Sequence, residues 1–335
     1  MHMADAFVSP AVGGTLWAAS AGLIAWSARK VRLAARENRV PMMGVLGAFI
    51  FTAQMINFTI PGTGSSGHLG GGLALAVLLG PHAAFLTIAS VLTVQALFFA
   101  DGGLLALGCN IFNLGFFPAF LAYPLLYRPL AGDGRSPARA WAAALVAAVV
   151  GLQLGAFCVV LETRASGLTE LPFGPFLLLM QPIHLAIGVV EGLATAALAA
   201  FIARARPEAL YASPSPVAAS AGRPAVLGGL LVAAALIGGL LSWFASDHPD
   251  GLEWAVANVT GQEEIQGAES GLHGTLAGVQ EKTALLPDYQ FDEKGNEAGG
   301  AARVGASVSG LVGGALTLLL AGAVGFALRL RGRDP

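Results

Sequence analysis

The chain contains a series of apolar runs that are each long enough to cross a lipid bilayer. A helical crossing takes about 17–25 residues, and runs of this length or more lie at 11–28, 42–60, 82–100, 103–126, 138–161, 174–203, 225–245 and 303–328. The mean hydropathy is +0.69 and 11% of the residues are charged, against about 25% in soluble domains. The sequence therefore predicts an all-α, polytopic membrane helix bundle.

A shorter apolar run, Leu69–Gly80, decides the parity of the topology. If it crosses, the chain has about nine spans, and an outside amino terminus places 29–39, 127–140, 204–224 and 329–335 in the cytoplasm. Those segments contain 14 of the 18 Lys and Arg residues, as expected for cytoplasmic loops. We therefore predict a multi-pass protein of the cell inner membrane, with an extracytoplasmic amino terminus and a cytoplasmic carboxyl terminus. We expect the first span to be retained, since no basic region precedes it.

A polar, proline-bearing segment divides the chain into two modules. We assign 1–204 to a seven-span module, 205–224 to a cytoplasmic linker and 225–328 to a two-span module. The second module contains a predicted extracytoplasmic loop, 246–302, which is rich in Asp and Glu. That loop either concentrates cations near an entrance or is simply a solvated connection.

The first residues of the chain could offer several nitrogen donors to a metal ion. The α-amine of Met1, the amide of His2 and the imidazole of His2 supply three, and one more imidazole completes four. His68 is the next histidine and lies in the glycine-rich loop Pro61–Gly70. Four nitrogens in a plane suit Ni(II), Cu(II) or low-spin Co(II). A histidine at position 2 alone would be a single-residue coincidence.

Two polar residues in a later span suggest other functions. His184 and Glu191 lie seven residues apart and so on one helix face, and ionisable groups inside a membrane indicate function. They could support the metal ligands together with Asn57, form the seat of a standalone proton-coupled metal carrier, or only join helices. A minor alternative is an intramembrane serine protease with Ser66 as nucleophile and His184 as base, because Gly64-Ser-Ser-Gly67 matches GxSG.

Several short motifs, taken together, resemble one family of membrane proteins. In the first module they are Met1-His-Met-Ala-Asp-Ala-Phe7, Gln54-Met-Ile-Asn-Phe58, the loop Pro61–Gly70, Leu79-Gly-Pro81 and Phe99–Gly108. This module resembles the substrate-binding membrane component, of the NikM/CbiM type, of nickel/cobalt energy-coupling factor importers. Residues 225–328 resemble its NikN-like companion subunit through Pro249-Asp-Gly-Leu-Glu253 and Leu286-Pro-Asp-Tyr289.

The resemblance implies a fold like that of the family's substrate-binding components and a function in capturing and importing nickel, or next cobalt. The metal ligands would be Met1, His2 and His68, and the chain would be a transporter component without a cofactor rather than an enzyme. ATP would be hydrolysed by separate ATPase subunits, reached through a transmembrane coupling subunit. We predict that the small residues Gly44 and Ala48 dock this coupling subunit, with packing inside the chain as the alternative.

Overall fold

The computed structural model describes residues 2–33, 40–132, 136–205, 223–262, 265, 267–268, 270–291 and 300–331. Met1, most of the linker 205–224 and part of the acidic loop 246–302 lie outside the described residues. The α-helices are α1 Pro10–Leu33, α2 Val40–Gln54, α3 Gly72–Leu79, α4 Pro81–Phe99, α5 Leu107–Ile111, α6 Arg128–Ala131, α7 Pro137–Ser166, α8 Phe173–Ala205, α9 Arg223–Gly239, α10 Gly251–Thr260, α11 Gly271–Thr283 and α12 Gly300–Arg331. A wide helical segment, Phe112–Tyr127, joins α5 to α6, and the strands β1 Phe58–Ile60 and β2 Ser65–Gly67 pair antiparallel.

Six helical segments of the described chain are long and apolar enough to cross a membrane. They are Pro10–Val31, Pro81–Phe99, Leu107–Ala131, Pro137–Ser166, Phe173–Arg204 and Arg303–Leu330. This finding confirms a helical membrane protein, whereas the predicted count of about nine spans is not reached by helix length alone. The run 42–60 stops being helical at Gln54 because the chain enters the β-hairpin, and the run 225–245 stops at Gly239.

The short helix α3 lies at the centre of the bundle. All eight of its residues are buried. A Cβ atom on Gly72 would lie 2.4 Å from the carbonyl oxygen of Leu114, so the helix start contacts the backbone of the wide segment directly. Because α3 follows the glycine-rich loop, this packing fixes the end of that loop within the bundle.

The second module packs against α2 through α9 and α12. A Cβ atom on Gly44 would lie 2.8 Å from the carbonyl oxygen of Leu318 and 3.4 Å from the Cα atom of Gly322, and Ala48 is buried. The face of α2 that bears Gly44 and Ala48 is therefore occupied by α12. The expectation that this face docks a coupling subunit is corrected, because small residues permit any close helix neighbour and here the neighbour belongs to the same chain.

Candidate metal centre

The segment that follows His2 is threaded into one end of the helix bundle. The amide of Met3 donates to Oδ1 of Asn110 at 2.8 Å, and Nδ2 of Asn110 donates back to the Met3 carbonyl at 3.1 Å. The amide of Gly103 also donates to that carbonyl at 2.9 Å. Oδ1 of Asp5 accepts from the amide of Ala106 at 2.9 Å. These bonds give the first imidazole of the chain a fixed place.

The turn after α4 approaches the amino-terminal segment so closely that it requires glycine. Gly102 has φ +81°, a left-handed conformation that glycine adopts without a Cβ clash. A Cβ atom there would lie 2.8 Å from Nδ2 of Asn110, and one on Gly103 would lie 1.9 Å from Oδ1 of Asp5. The pair Gly102-Gly103 thus makes room for the threaded segment.

The imidazole rings of His2 and His68 are stacked. Their centroids lie 5.0 Å apart and their planes differ by 9°. Nδ1 of His68 lies 3.1 Å from the carbonyl oxygen of Leu69; since a carbonyl only accepts, Nδ1 carries the proton in the neutral ring and Nε2 presents its lone pair. The structure brings together two of the three predicted ligand residues, and Met1 lies outside the described part of the chain.

The electrostatics of the site favour a neutral imidazole beside a charged carboxylate. Burial is the main cause that lowers the pKa of His68 to about 3. Burial alone would raise the pKa of Asp101, but His2 and a hydrogen bond from Tyr289 hold that pKa below its usual range. Nδ1 of His2 lies 2.9 Å from Oδ1 of Asp101. A neutral imidazole is the form that binds a metal ion.

The β-hairpin places His68 directly after β2. Its turn contains Gly62 at φ +79° and Gly64 at φ +75°, and β1 pairs Phe58 with Gly67. Three-residue strands lie at the short end of the range for proteins, and their sequence offers no alternation long enough to be recognised. The glycine-rich loop was predicted, but its hairpin was not.

Glu191 holds the chain just after His68. Its Oε2 accepts from the amide of Gly70 at 2.7 Å and its Oε1 from the amide of Gly71 at 3.1 Å. The carbonyl of Gly70 also accepts from Nε2 of Gln54 at 2.9 Å. Glu191 is therefore engaged with the loop backbone just after His68.

His184 lines a small cavity beside His68. Its Nδ1 lies 2.8 Å from the Met180 carbonyl oxygen, and its buried Nε2 has no hydrogen-bond partner. The cavity measures about 10 Å³ and is lined also by Asp250, which is room for about one water molecule. Ser66 donates its hydroxyl proton to the His248 carbonyl at 2.7 Å rather than to an imidazole, so the structure does not form the serine–histidine pair that a protease needs.

Asn57 is engaged with the second module rather than with either imidazole ring. Its carbonyl oxygen accepts from the amide of Ser246 at 2.7 Å, so this bond joins the two modules. Asn110, rather than Asn57, is the asparagine that holds the amino-terminal segment. Asn110 is one of several polar residues in the spans, and nothing in the sequence distinguishes it from the others.

Residues of the second module contact the loop and the carboxylate around the stacked rings. The amide of Ser66 donates to the carbonyl of Pro249 at 2.8 Å, and Asp250 caps the start of α10. A Cβ atom on Gly251 would lie 3.2 Å from Cε1 of His184. The hydroxyl of Tyr289 donates to Oδ2 of Asp101 at 2.5 Å. The motifs around 249–253 and 286–289 thus contact the loop and the carboxylate beside the stacked rings.

Comparison with known proteins finds two family matches, one after the other along the chain. Residues 2–209 match the CbiM family, a cobalt uptake substrate-specific transmembrane region, and residues 224–330 match the PDGLE domain. The fused nickel transport protein NikMN of Rhodobacter capsulatus is 31% identical over 86% of this chain and 88% of its own. A protein of Archaeoglobus fulgidus that carries the NikMN name is 32% identical over 98% of both chains.

Two further comparisons concern the first module. The cobalt transport protein CbiM of Sorangium cellulosum is 32% identical over 51% of this chain and 76% of its own. A crystal structure of a truncated transition metal transporter superposes with a TM-score of 0.54 at 28% identity, over 61% of this chain and 99% of that one. The chain therefore belongs to the CbiM family of substrate-specific membrane components for nickel/cobalt uptake, carries a PDGLE domain behind it, and is a transport protein rather than an enzyme.

Proposed function

We propose that this chain captures Ni(II), and next Co(II), with high affinity as the substrate-specific component of an ATP-driven energy-coupling factor importer. The observation that carries the proposal is the stacked pair of imidazoles, His2 and His68, at the start of a chain threaded into the bundle. Among the described residues, no group of three or more His, Cys, Asp and Glu side chains is arranged to hold a metal ion. The α-amine of Met1 and the amide of His2 would complete a planar set of four nitrogens, which suits these ions.

The names of the relatives favour nickel over cobalt. The relatives from Archaeoglobus fulgidus and Rhodobacter capsulatus match most of the chain, including the PDGLE domain, and both are named as NikMN proteins. The cobalt-named relative from Sorangium cellulosum matches 51% of the chain. Because the nitrogen donors bind either ion and the Irving–Williams order favours nickel only modestly, the companion domain is the stronger reason for nickel.

The proposed arrangement in the membrane keeps the topology that the basic residues favour. It counts nine crossings, including Leu69–Gly80, with modules 1–204 and 225–328 and the linker 205–224 in the cytoplasm. The charge distribution, 14 of the 18 basic residues in four segments, supports this orientation in the inner membrane. The metal would then enter from outside, where the acidic loop lies, and import would require a transmembrane coupling subunit and ATPase subunits.

The experiment is a metal titration of purified protein with a native amino terminus and with a Gly-Ser extension before Met1. The native protein should bind Ni(II) tightly in competition with a chelator, and the extension should abolish tight binding because the α-amine donor is lost. His68→Ala should behave like the extension. His248→Ala is the control, since His248 accepts the Ser66 hydroxyl bond through its backbone carbonyl. Unchanged affinity in the extended protein would refute the site.

Transport is tested in vesicles that contain the chain alone or with its coupling and ATPase partners. The proposal expects metal accumulation only with the partners and ATP. Accumulation by the chain alone under a pH gradient would instead support the proton-coupled carrier with His184 and Glu191. Against that alternative, both oxygens of Glu191 accept bonds from the loop backbone, so the carboxylate already has a structural role.

A further inference from the structure

We propose that the PDGLE domain positions the imidazole of His2 through a hydrogen-bond chain that runs from Tyr289 through Asp101. Tyr289 and Asp101 are then positioning residues of the metal centre, and the second module contributes to metal binding without supplying a ligand. This inference rests on the proposed function, because it takes His2 to be a ligand.

Tyr289 is held firmly at its end of this hydrogen-bond chain. Its ring stacks on Phe99 with centroids 5.0 Å apart and planes 17° apart. Its backbone has φ +62°, a left-handed conformation that costs energy for a residue other than glycine and persists where the surroundings determine it. The Tyr289 amide donates to the Leu286 carbonyl at 3.1 Å, and the Tyr289 carbonyl accepts from Oγ of Ser309 at 3.0 Å. The phenol is therefore aimed rather than free to turn.

Both oxygens of Asp101 are engaged. Oδ2 accepts from the Tyr289 hydroxyl, and Oδ1 lies 2.9 Å from Nδ1 of His2. Burial and the Asp101 charge raise the pKa of Tyr289 well above its usual value, so the phenol keeps its proton and donates. A carboxylate bonded at both oxygens cannot rotate without losing one bond. Its remaining oxygen is thus fixed beside the His2 ring.

The covalent geometry of histidine explains what that fixed oxygen can do. In a chelate with the His2 amide nitrogen, Nδ1 is the ring nitrogen that closes a six-membered ring with the metal. A half-turn of the imidazole about Cβ–Cγ exchanges Nδ1 with Cδ2 and Nε2 with Cε1. It therefore places Nε2, which is buried without a hydrogen-bond partner, in the position of Cε1, next to the position that Nδ1 occupies 2.9 Å from Oδ1 of Asp101.

Asp101 is consequently placed to hold the His2 ring. Its Oδ1 lies 2.9 Å from Nδ1 of His2, and with Nδ1 turned towards an ion a small further rotation of the ring would let the carboxylate accept the proton of Nε2. A carboxylate that accepts from the second nitrogen of a ligand imidazole fixes the ring orientation and raises its basicity. The same domain also braces the neighbouring turn, since Nε2 of Gln280 donates to the Gly102 carbonyl at 2.7 Å.

The test is a double-mutant cycle of Tyr289→Phe and Asp101→Asn, measured on the full chain with a native amino terminus. Tyr289→Phe keeps the ring that stacks on Phe99 and removes only the hydroxyl. The matched control is Thr59→Val, which removes a different bond between the modules, from Oγ1 of Thr59 to Oγ of Ser246 at 2.9 Å. The readouts are the Ni(II) affinity by chelator competition, the ligand-field absorption band of bound Ni(II), and the thermal stability of the metal-free protein.

Asp101→Asn should weaken Ni(II) binding by about tenfold to a hundredfold, the usual effect of losing a partner of a ligand. Tyr289→Phe should weaken it by about tenfold, at the lower end of that range. The double variant should bind no more weakly than Asp101→Asn alone, because Tyr289 acts through that carboxylate. Both single variants should shift the absorption band, whereas Thr59→Val should leave affinity and band unchanged.

Several outcomes would overturn the inference while leaving the proposed function intact. These are wild-type affinity and an unshifted band in Tyr289→Phe, full additivity with Asp101→Asn, or an equal loss in Thr59→Val. If Tyr289→Phe failed to fold, Asp101→Asn would still decide, because an unchanged Ni(II) affinity in that variant would show that Asp101 does not position His2. Failure of the wild-type protein to bind Ni(II) or Co(II) would refute the proposed function itself, so the two failures are distinguishable.

Discussion

Replacement of Glu191 by glutamine should loosen the loop that bears His68. The carboxylate of Glu191 accepts from two successive amides, those of Gly70 and Gly71. Glutamine keeps the length and volume of the side chain and one acceptor oxygen, but its NH₂ group cannot accept. One of the two amides would then face another donor in a buried site.

The expected size of the effect follows from this count of bonds. A buried donor that loses its partner costs about 1–3 kcal/mol, so Glu191→Gln should lower the free energy of unfolding by about 2 kcal/mol. His68 lies just before the anchored glycines, and its ring must stay stacked on that of His2 at 5.0 Å. Because a lost supporting bond typically lowers metal affinity by about tenfold to a hundredfold, we expect Ni(II) binding to weaken within that range.

The assay combines thermal unfolding of the metal-free protein in detergent with chelator-competition titration of Ni(II). Glu162→Gln is the matched control, because Glu162 is also a buried carboxylate within a span and accepts from Nδ2 of Asn113 at 2.8 Å. Its carboxylate accepts from Asn113 and Cys158 rather than from the loop, so that variant should keep wild-type affinity. The reasoning fails if Glu191→Gln binds Ni(II) as wild type does, or if both variants lose affinity equally.

Further predictions concern the amino terminus, the loop and the helix contact. Acetylation of the Met1 α-amine, verified by mass spectrometry, should abolish tight Ni(II) binding in calorimetry while circular dichroism stays unchanged. The pKa of His68 is lowered to about 3, so below about pH 6.5 the unfolded chain binds a proton at this residue and the folded chain does not. Wild type should therefore lose stability relative to His68→Gln as the pH falls from about 6.5 towards 3. An equal dependence of stability on pH in the two proteins would contradict this. Gly103→Ala should abolish metal binding, because its Cβ would lie 1.9 Å from Oδ1 of Asp5; retained binding would show that the segment can shift. Gly44→Leu should lower thermal stability by separating α2 from α12, and a stable variant that loses only ATP-driven uptake would restore the docking interpretation.

Much of the helical architecture could be predicted from the sequence because lipid imposes a simple rule. Backbone groups inside the bilayer must be hydrogen-bonded within the chain, so each long apolar run has to become a helix. The pairing of His2 with His68 could also be predicted, from ligand chemistry and from the glycine content of the intervening loop. Both inferences rely on local composition, which a single sequence displays directly.

The contacts between elements could not be predicted in the same way. The spans are largely apolar around their circumference, so periodicity does not show which face meets which neighbour. Asp101 stood within a recognised motif, yet its bonds to His2 and Tyr289 depend on how the second module lies against the first. The end of α2 at Gln54 likewise depends on the hairpin, whose apolar residues look like a continuation of the span.

Fusion of the two modules gives these contacts a thermodynamic advantage. Two of the bonds that join them near the site are the amide of Ser66 to the carbonyl of Pro249 and the hydroxyl of Tyr289 to Asp101. A typical intramolecular hydrogen bond contributes only about 0.5–1.5 kcal/mol net, which is little to hold separate chains together. A covalent linker makes docking intramolecular, at an effective concentration on the order of millimolar. The PDGLE domain can therefore remain over the proposed metal centre with few contacts, and those contacts can serve the geometry of the site.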